Sequence, residues 1–424
     1  MREVRESRKV LQMTHSESAP ALHPEAELLL YCARTCMDAE RAERMRALLQ
    51  GDIDWPYLTR MAQPHGLMPL LYWNLHTTCP KSVPEAVLHQ LRRHFDINDF
   101  RNRFLTKELF KLLKLFETHD VLAVPYKGPA LAAAAYGNLS LRQFSDLDIL
   151  IHKRDIPKAK GLLLSNGYRS QLSETQEAVQ LCSHYHWGFV RTHGEICVEL
   201  HWAFTREYWD FPLDLDRLAE RLTPVSFAGS TVLHFSPEDL LLILCVHGAK
   251  DCWDRLRWIC DVAELIRGQQ GLAWEKLLMQ ADRLRCRRIL FLGLFLAKDL
   301  LGAPLPAEVW QKVQSEPVVP ALAAQVREGL FTGADCITED HDRYAFYLRM
   351  RERLPDRLRY FYYDHLRGYL RAFPTLMIPS AKDRALLSLP ASLTFLYYPL
   401  RPIRLIGEHG LKFVRILLKN LAGF

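Results

Sequence analysis

The sequence contains no GxxxxGK(S/T) phosphate loop and no HExxH, which weighs against a P-loop kinase and a plain phosphohydrolase. Its ten cysteines are scattered with no Cys-x-x-Cys, so neither a zinc site nor a dithiol redox motif is expected, and reduced core thiols in a cytoplasmic protein are. No apolar run reaches the roughly 20 residues of a membrane-spanning helix. The longest, "LLSLPASLTFLYYPL" over 386–400, is interrupted by Pro390. The first twenty residues mix charges without an apolar segment, which predicts a flexible extension over 1–24 and not a signal peptide. No repeat period stands out.

What is present is material for large cores: 424 residues, 49% apolar and 11% aromatic, enough for two or three domains. A net charge of +6 suits a polyanionic ligand such as a nucleotide, RNA or an anionic surface, without choosing among them. Three-and-four spacing of apolar residues predicts a helical region over 25–118. Short strands follow over 119–235: "VLAVPYKG", "SDLDILI", "HWGFVRT" and "EICVELHW" joined by a tight His-Gly turn, and "VSFAGSTVLHF" turning at Ala228-Gly229. Between them "DIPKAKGLLLSNGY" reads as a helix, with Asp155 as its cap. Helices resume at Ser236-Pro237, a cap and first-turn pair, and form a second helical domain over 236–373. The fold class expected is therefore α+β.

Asp-x-Asp occurs four times. Asp52/Asp54 and Asp214/Asp216 stand where helices should begin, and Asp340/Asp342 sits between helical stretches. Only Asp146/Asp148 runs directly into an apolar strand. Alternation puts both carboxylates on one face while Leu147, Ile149 and Ile151 pack on the other. Two such carboxylates side by side ask for a cation, and for an all-oxygen site handling phosphate the common one is magnesium. In "ICVELHW" the same alternation sets Cys197, Glu199 and His201 against Ile196, Val198 and Leu200. Glu199 is thus either a third site carboxylate or an edge-strand residue facing water.

Taken in order, Lys127-Gly128 at a strand end, the helix-sized "PALAAAAYG", Arg142, the Asp146/Asp148 strand and the "VELHW" strand resemble a bacterial nucleotidyltransferase family of the DNA-polymerase-β-like superfamily. The resemblance runs from about 55 to 405 and is strongest from 124 to 202. It implies a polymerase-β-like core, and it implies that Asp146, Asp148 and Glu199 hold two Mg2+ ions around the α-phosphate of a nucleoside triphosphate such as ATP. Glu199 is then also a candidate general base. One departure stands out: where such enzymes carry Gly-Ser or Gly-Gly, Gly128 is followed by Pro129 and a longer gap, so Lys127 is either a substitute point charge or a solvated strand-end residue.

In "CVHGAKDCWDRLRWICDVAELI" the resemblance makes His247 and Lys250, three apart on one helix face, candidates to meet the triphosphate, with Asp261 orienting it. Trp253 and Trp258 would stack on a base or fill the core. His65 reads as structural. The tail over 374–424 places Arg401, Arg404, Lys412, Arg415 and Lys419 among apolar residues, as either a peripheral membrane helix or one docked on the protein. The acceptor is open: a protein side chain, an RNA end or a small molecule. The rival reading is a catalytically silent nucleotide- or RNA-binding protein of the same fold.

Overall fold

The computed structural model describes residues 22–331, 340–363 and 390–398, apart from 174–175, 178–179, 182–183 and 192–195. It is an α+β protein in which helical regions flank a five-stranded mixed sheet. The strands are β1 (Ala123–Pro125), β2 (Asp146–Ile151), β3 (Tyr168–Ser170), β4 (His186–Arg191) and β5 (Cys197–His201), in the order β1-β2-β5-β4-β3. Only β2 and β5 run parallel; the other pairs are antiparallel. A separate hairpin joins β6 (Thr223–Phe227) to β7 (Ser230–His234), and its two turn residues, Ala228 and Gly229, have φ of 48° and 81°. That is the double left-handed geometry that matches strand twist in a two-residue turn.

The pleat of β2 divides the molecule. Leu147, Ile149 and Ile151 join Val198 and Leu200 of β5, Trp187 and Phe189 of β4, and Leu105, Leu109, Leu112 and Phe116 of the long helix Glu85–Glu117 in one core. Each such buried Leu or Ile contributes roughly 2 kcal/mol. Leu150, on the opposite face, joins the larger core of the helical lobe. Asp146 and Asp148 share that second face, so strand alternation alone carries them to the seam between the two cores.

The helical lobe is set by ordinary local signals. Asp54 and Asp214 cap helices by accepting from the backbone N–H of Tyr57 and Arg217, as their positions suggest. Asp340, expected between helices, instead begins the helix Asp340–Met350. Asp155 precedes the helix Ile156–Ser165 without capping it through its side chain. Ser236 accepts from the Asp239 N–H and starts the helix Pro237–Lys250. After it, Trp253 is fully buried in a slot made by two glycines: a Cβ on Gly248 would lie 2.4 Å from the indole, and one on Gly293 3.1 Å. Trp253 therefore fills the core. No helix among the described residues is long and apolar enough to cross a membrane. The described cysteines are all free, most of them buried. The expected His-Gly turn at 193–194, the N-terminal extension and the basic segment with Arg401, Arg404, Lys412, Arg415 and Lys419 lie outside the described residues.

Candidate active site

Parallel pairing of β2 with β5 sets Asp148 directly opposite Glu199, and Asp146 opposite Cys197. Three carboxylates thereby line a cleft of about 390 Å³ at the seam. Asp148 is almost fully buried, with Lys127 Nζ at 3.2 Å and His201 Nε2 at 3.1 Å from the same oxygen. Burial opposes its charge, but Lys127 and His201 outweigh burial and hold its carboxyl well below the usual range. Glu199 is likewise lowered: burial opposes this, and the nearby His201, 3.2 Å away, prevails. Asp146 behaves oppositely. Burial and the adjacent Asp148 charge raise it, and its carboxylate forms no hydrogen bond or ion pair with any described residue. A half-buried carboxylate without a hydrogen-bond partner, beside two others, leaves negative charge in the cleft that a divalent cation would offset.

Lys127 reaches the cleft because the chain turns sharply after it. Gly128 has φ of 52°, and a Cβ there would stand 3.2 Å from the Asp146 carbonyl oxygen. Glycine lets this turn lie against the start of β2. The segment continues as a short helix, Gly128–Leu131, and a π-helical turn, Ala132–Tyr136, ending at Gly137 with φ of 65°.

The facing wall is cationic. Arg142 lines the cleft, as do Lys250 and His247 from the end of the helix Pro237–Lys250, so the two residues spaced three apart do share the site-facing side. Lys250 Nζ donates to Tyr185 Oη at 2.8 Å and lies 3.8 Å from Asp251 Oδ2. Burial, together with Lys127 and Lys250, holds His247 neutral, well below the usual imidazole range. Trp258 is buried yet lines the same cleft, edge-on to His247 at 5.3 Å between ring centroids.

Asp261 is not brought into the cleft. Its oxygens accept from Arg142 Nε at 2.7 Å, Arg142 Nη2 at 2.9 Å and Tyr136 Oη at 2.7 Å, all deep in the protein. With its acceptors committed, Asp261 has none facing a ligand. What it orients is Arg142, whose guanidinium it holds charged in spite of burial.

His201, His186, Tyr126, Tyr185 and Arg257 are among the neighbours not singled out from the sequence as site residues. His201 shares the face of Glu199 by alternation and was within reach of that argument. His186 was not, because it meets His201 only through the β4–β5 register, which the hairpin sets. Tyr126 Oη lies 3.2 Å from His201 Nδ1. Arg257 enters the cleft from the helix Leu256–Gly268, whose first N–H bonds His65 Nδ1 at 3.2 Å. His65 is structural, then, but in service of the site. Gly66 leaves room for Arg257, since a Cβ there would lie 2.8 Å from its Cδ.

No curated protein sequence matches the chain. A family model does, over residues 51–302, which takes in both walls of the cleft and more than half of the sequence; its description is "uncharacterised nucleotidyltransferase". The carboxylate-lined seam and its cationic facing wall lie wholly inside the matched span, and the chain belongs to this nucleotidyltransferase family.

Proposed function

We propose that the protein transfers a nucleoside monophosphate from a nucleoside triphosphate to a hydroxyl or phosphate acceptor and releases pyrophosphate. The observation that carries this reading is the convergence of Asp146, Asp148 and Glu199 on one cleft facing Lys250, Arg142 and Arg257. Three carboxylates would hold two Mg2+ ions, which supply charge neutralisation and polarisation at the reacting phosphorus when bound.

The chain's own residues divide the rest. Lys127 and Lys250 offer ammonium charges to the β- and γ-phosphates, and Arg142, pinned by Asp261, presents a fixed guanidinium. His247, neutral and against Trp258, shapes the floor between them. Glu199, far more exposed than Asp148, is placed to take the proton of an incoming hydroxyl. We assign the strand-rich core to 119–235 and the cation-bearing helical domain to 236–373, in a cytoplasmic protein. The acceptor, whether protein, RNA or small molecule, is left to experiment.

A silent binder of the same fold is the second reading. It is favoured by one fact: Lys127 and His201 already match the charge of Asp148 from within the protein. Incubation with Mg2+ and each α- or γ-labelled nucleotide, with the protein itself, bulk tRNA and a lysate as acceptors, separates the readings. Transfer moves α-label to an acceptor and γ-label into pyrophosphate. Label from the γ-position on the acceptor would sink the proposal, and nucleotide binding with neither label transferred would favour the silent binder.

A further inference from the structure

Two imidazoles that the transfer reading does not use flank Glu199. The antiparallel register places His186 opposite His201 and Gly188 opposite Glu199, so both rings rise from the face that carries the carboxylates. The rings lie 5.2 Å apart at an interplanar angle of 24°. His201 Nε2 is 3.2 Å from Glu199 Oε2 and 3.1 Å from Asp148 Oδ1, and His186 Nε2 is 4.0 Å from the same Glu199 oxygen. One donor atom from each of His186, Glu199 and His201 falls within 4.8 Å of the others. Donors that surround a single ion at about 2.0–2.2 Å stand roughly 3 to 3.5 Å apart, so His201 and Glu199 already have that spacing and His186 must move inward.

The surroundings of the two rings point the same way. His201 is fully buried, and its second nitrogen, Nδ1, meets Tyr126 Oη at 3.2 Å. A ring that coordinates through one nitrogen generally has its other nitrogen fixed by such a partner. His186 is uncommitted: its Nδ1 is buried without a hydrogen-bond partner, and its Nε2 has no polar contact shorter than the 4.0 Å to Glu199. Its Nε2, the nitrogen nearer Glu199, is the one open to an ion, while its Nδ1 lacks the partner that His201 has.

We propose that His186, Glu199 and His201, with Asp148 shared between this position and Asp146, form a nitrogen-bearing cation site that takes a first-row transition ion in preference to Mg2+. Imidazole nitrogen suits ions of the Zn2+ and Co2+ class, whereas Mg2+ takes oxygen. The cleft then holds two unlike positions: an all-oxygen one at Asp146 and a mixed one at Glu199. The proposal rests on the transfer reading for a cleft that accepts divalent cations and revises it at one position: the ion at Glu199 is a transition ion in place of the second Mg2+.

The test uses the full chain stripped with a chelator and titrated with Co2+, whose visible absorption reports nitrogen and oxygen coordination without any turnover. The expected result is a saturable absorption at one ion per chain, displaced by Zn2+ and not by a large excess of Mg2+. His186→Gln should weaken Co2+ by more than about tenfold while leaving the melting temperature near wild type, since this partly exposed ring forms no hydrogen bond with a described residue and only packs against Tyr185 and His201. Asp146→Asn should retain the absorption. His201→Gln should also lose it, but this buried ring risks the fold, so the His186 variant is decisive. Absence of the absorption, competition by Mg2+ at comparable concentration, or unchanged Co2+ affinity in His186→Gln would each overturn the site. Transfer of α-label with Mg2+ alone in a protein that shows no such absorption would remove this inference and leave the transfer reading standing.

Discussion

Two buried aspartates, one on the floor of the cleft and one behind its wall, carry the contrast between function and architecture in this protein. Asp148 and Asp261 are both at most 4% exposed. Asp261 is closed: a two-pronged guanidinium and a tyrosine hydroxyl take up its oxygens, with no side open to the cleft. Asp148 is open: its recorded partners, Lys127 and His201, approach a single oxygen, and the carboxylate lines the cleft beside Asp146 and Glu199. A buried charge that is fully matched fixes geometry, whereas one matched on a single side retains capacity for a ligand.

The largest effect that tests this contrast is on stability. Asp261→Ala leaves Arg142 buried and unpaired, and should cost about 3–5 kcal/mol. Denaturant unfolding would read it, and an unchanged midpoint would show that the pair is not what holds the wall. Asp148→Asn should also lose stability, because Lys127 and His201 lose the charge they hold. Its distinguishing effect is a loss of α-label transfer exceeding about 100-fold, more than is typical for removing a residue that merely supports a ligand. Asp146→Asn belongs with it in transfer, but its stability should hold or rise, because the variant removes a carboxylate that has no partner and repels Asp148. A large fall in melting temperature for Asp146→Asn would mean that its carboxylate has a structural role after all.

The open side of the comparison was legible in the sequence and the closed side was not. Period-two alternation in "SDLDILI" and "VELHW" fixes which side chains share a face, and any sheet that pairs those strands in register must bring Asp148 near Glu199. The helix start at Ser236-Pro237 and the turn at Ala228-Gly229 were equally readable, because each depends on a few adjacent residues. The pairing of Arg142 with Asp261 joins residues 119 apart in the chain, and helix periodicity says nothing about which distant partner a buried carboxylate will find. The same limit hid His186, whose place follows from strand register, and Arg257, whose place depends on His65 and Gly66 almost two hundred residues earlier. Absence of an HExxH motif likewise says nothing about histidines that a hairpin brings together.

A third buried polar group sharpens the rule through pH. His234, at the end of β7, is 1% exposed, its Nε2 has no partner, and burial pushes its pKa from 6.5 down to about 4. Below pH 6.5 the unfolded chain takes up a proton that the folded ring refuses until about pH 4. Stability should therefore fall as pH drops through that window, by about 1.4 kcal/mol per unit, and level off below it. Other groups titrate there too, so the measurement is the difference between wild type and His234→Phe. The variant should show a shallower acid slope in its unfolding free energy, and parallel slopes would mean that His234 is not held neutral.

The smallest expected effect concerns the facing wall, where Lys250 is neither as closed as Arg142 nor as open as Asp146. It is held by Tyr185 Oη and lies near Asp251, yet it lines the cleft. Burial lowers its pKa, but Asp251 and Tyr185 overcome this and raise it, so it stays an ammonium. An exposed lysine near a phosphate contributes little, but one already ordered and partly desolvated loses less entropy on binding. Lys250→Ala should weaken a nucleoside triphosphate by roughly tenfold, on the order of one charge-assisted contact, and the corresponding monophosphate by much less. Calorimetry on both ligands gives the ratio. Equal weakening of the two would place Lys250 at the α-phosphate or in the framework of the wall, and Tyr185→Phe separates these. Losing only the Lys250 tether, that variant should keep the preference for triphosphate if the ammonium contacts the outer phosphates, and should reproduce the alanine result if Lys250 serves mainly to brace the wall.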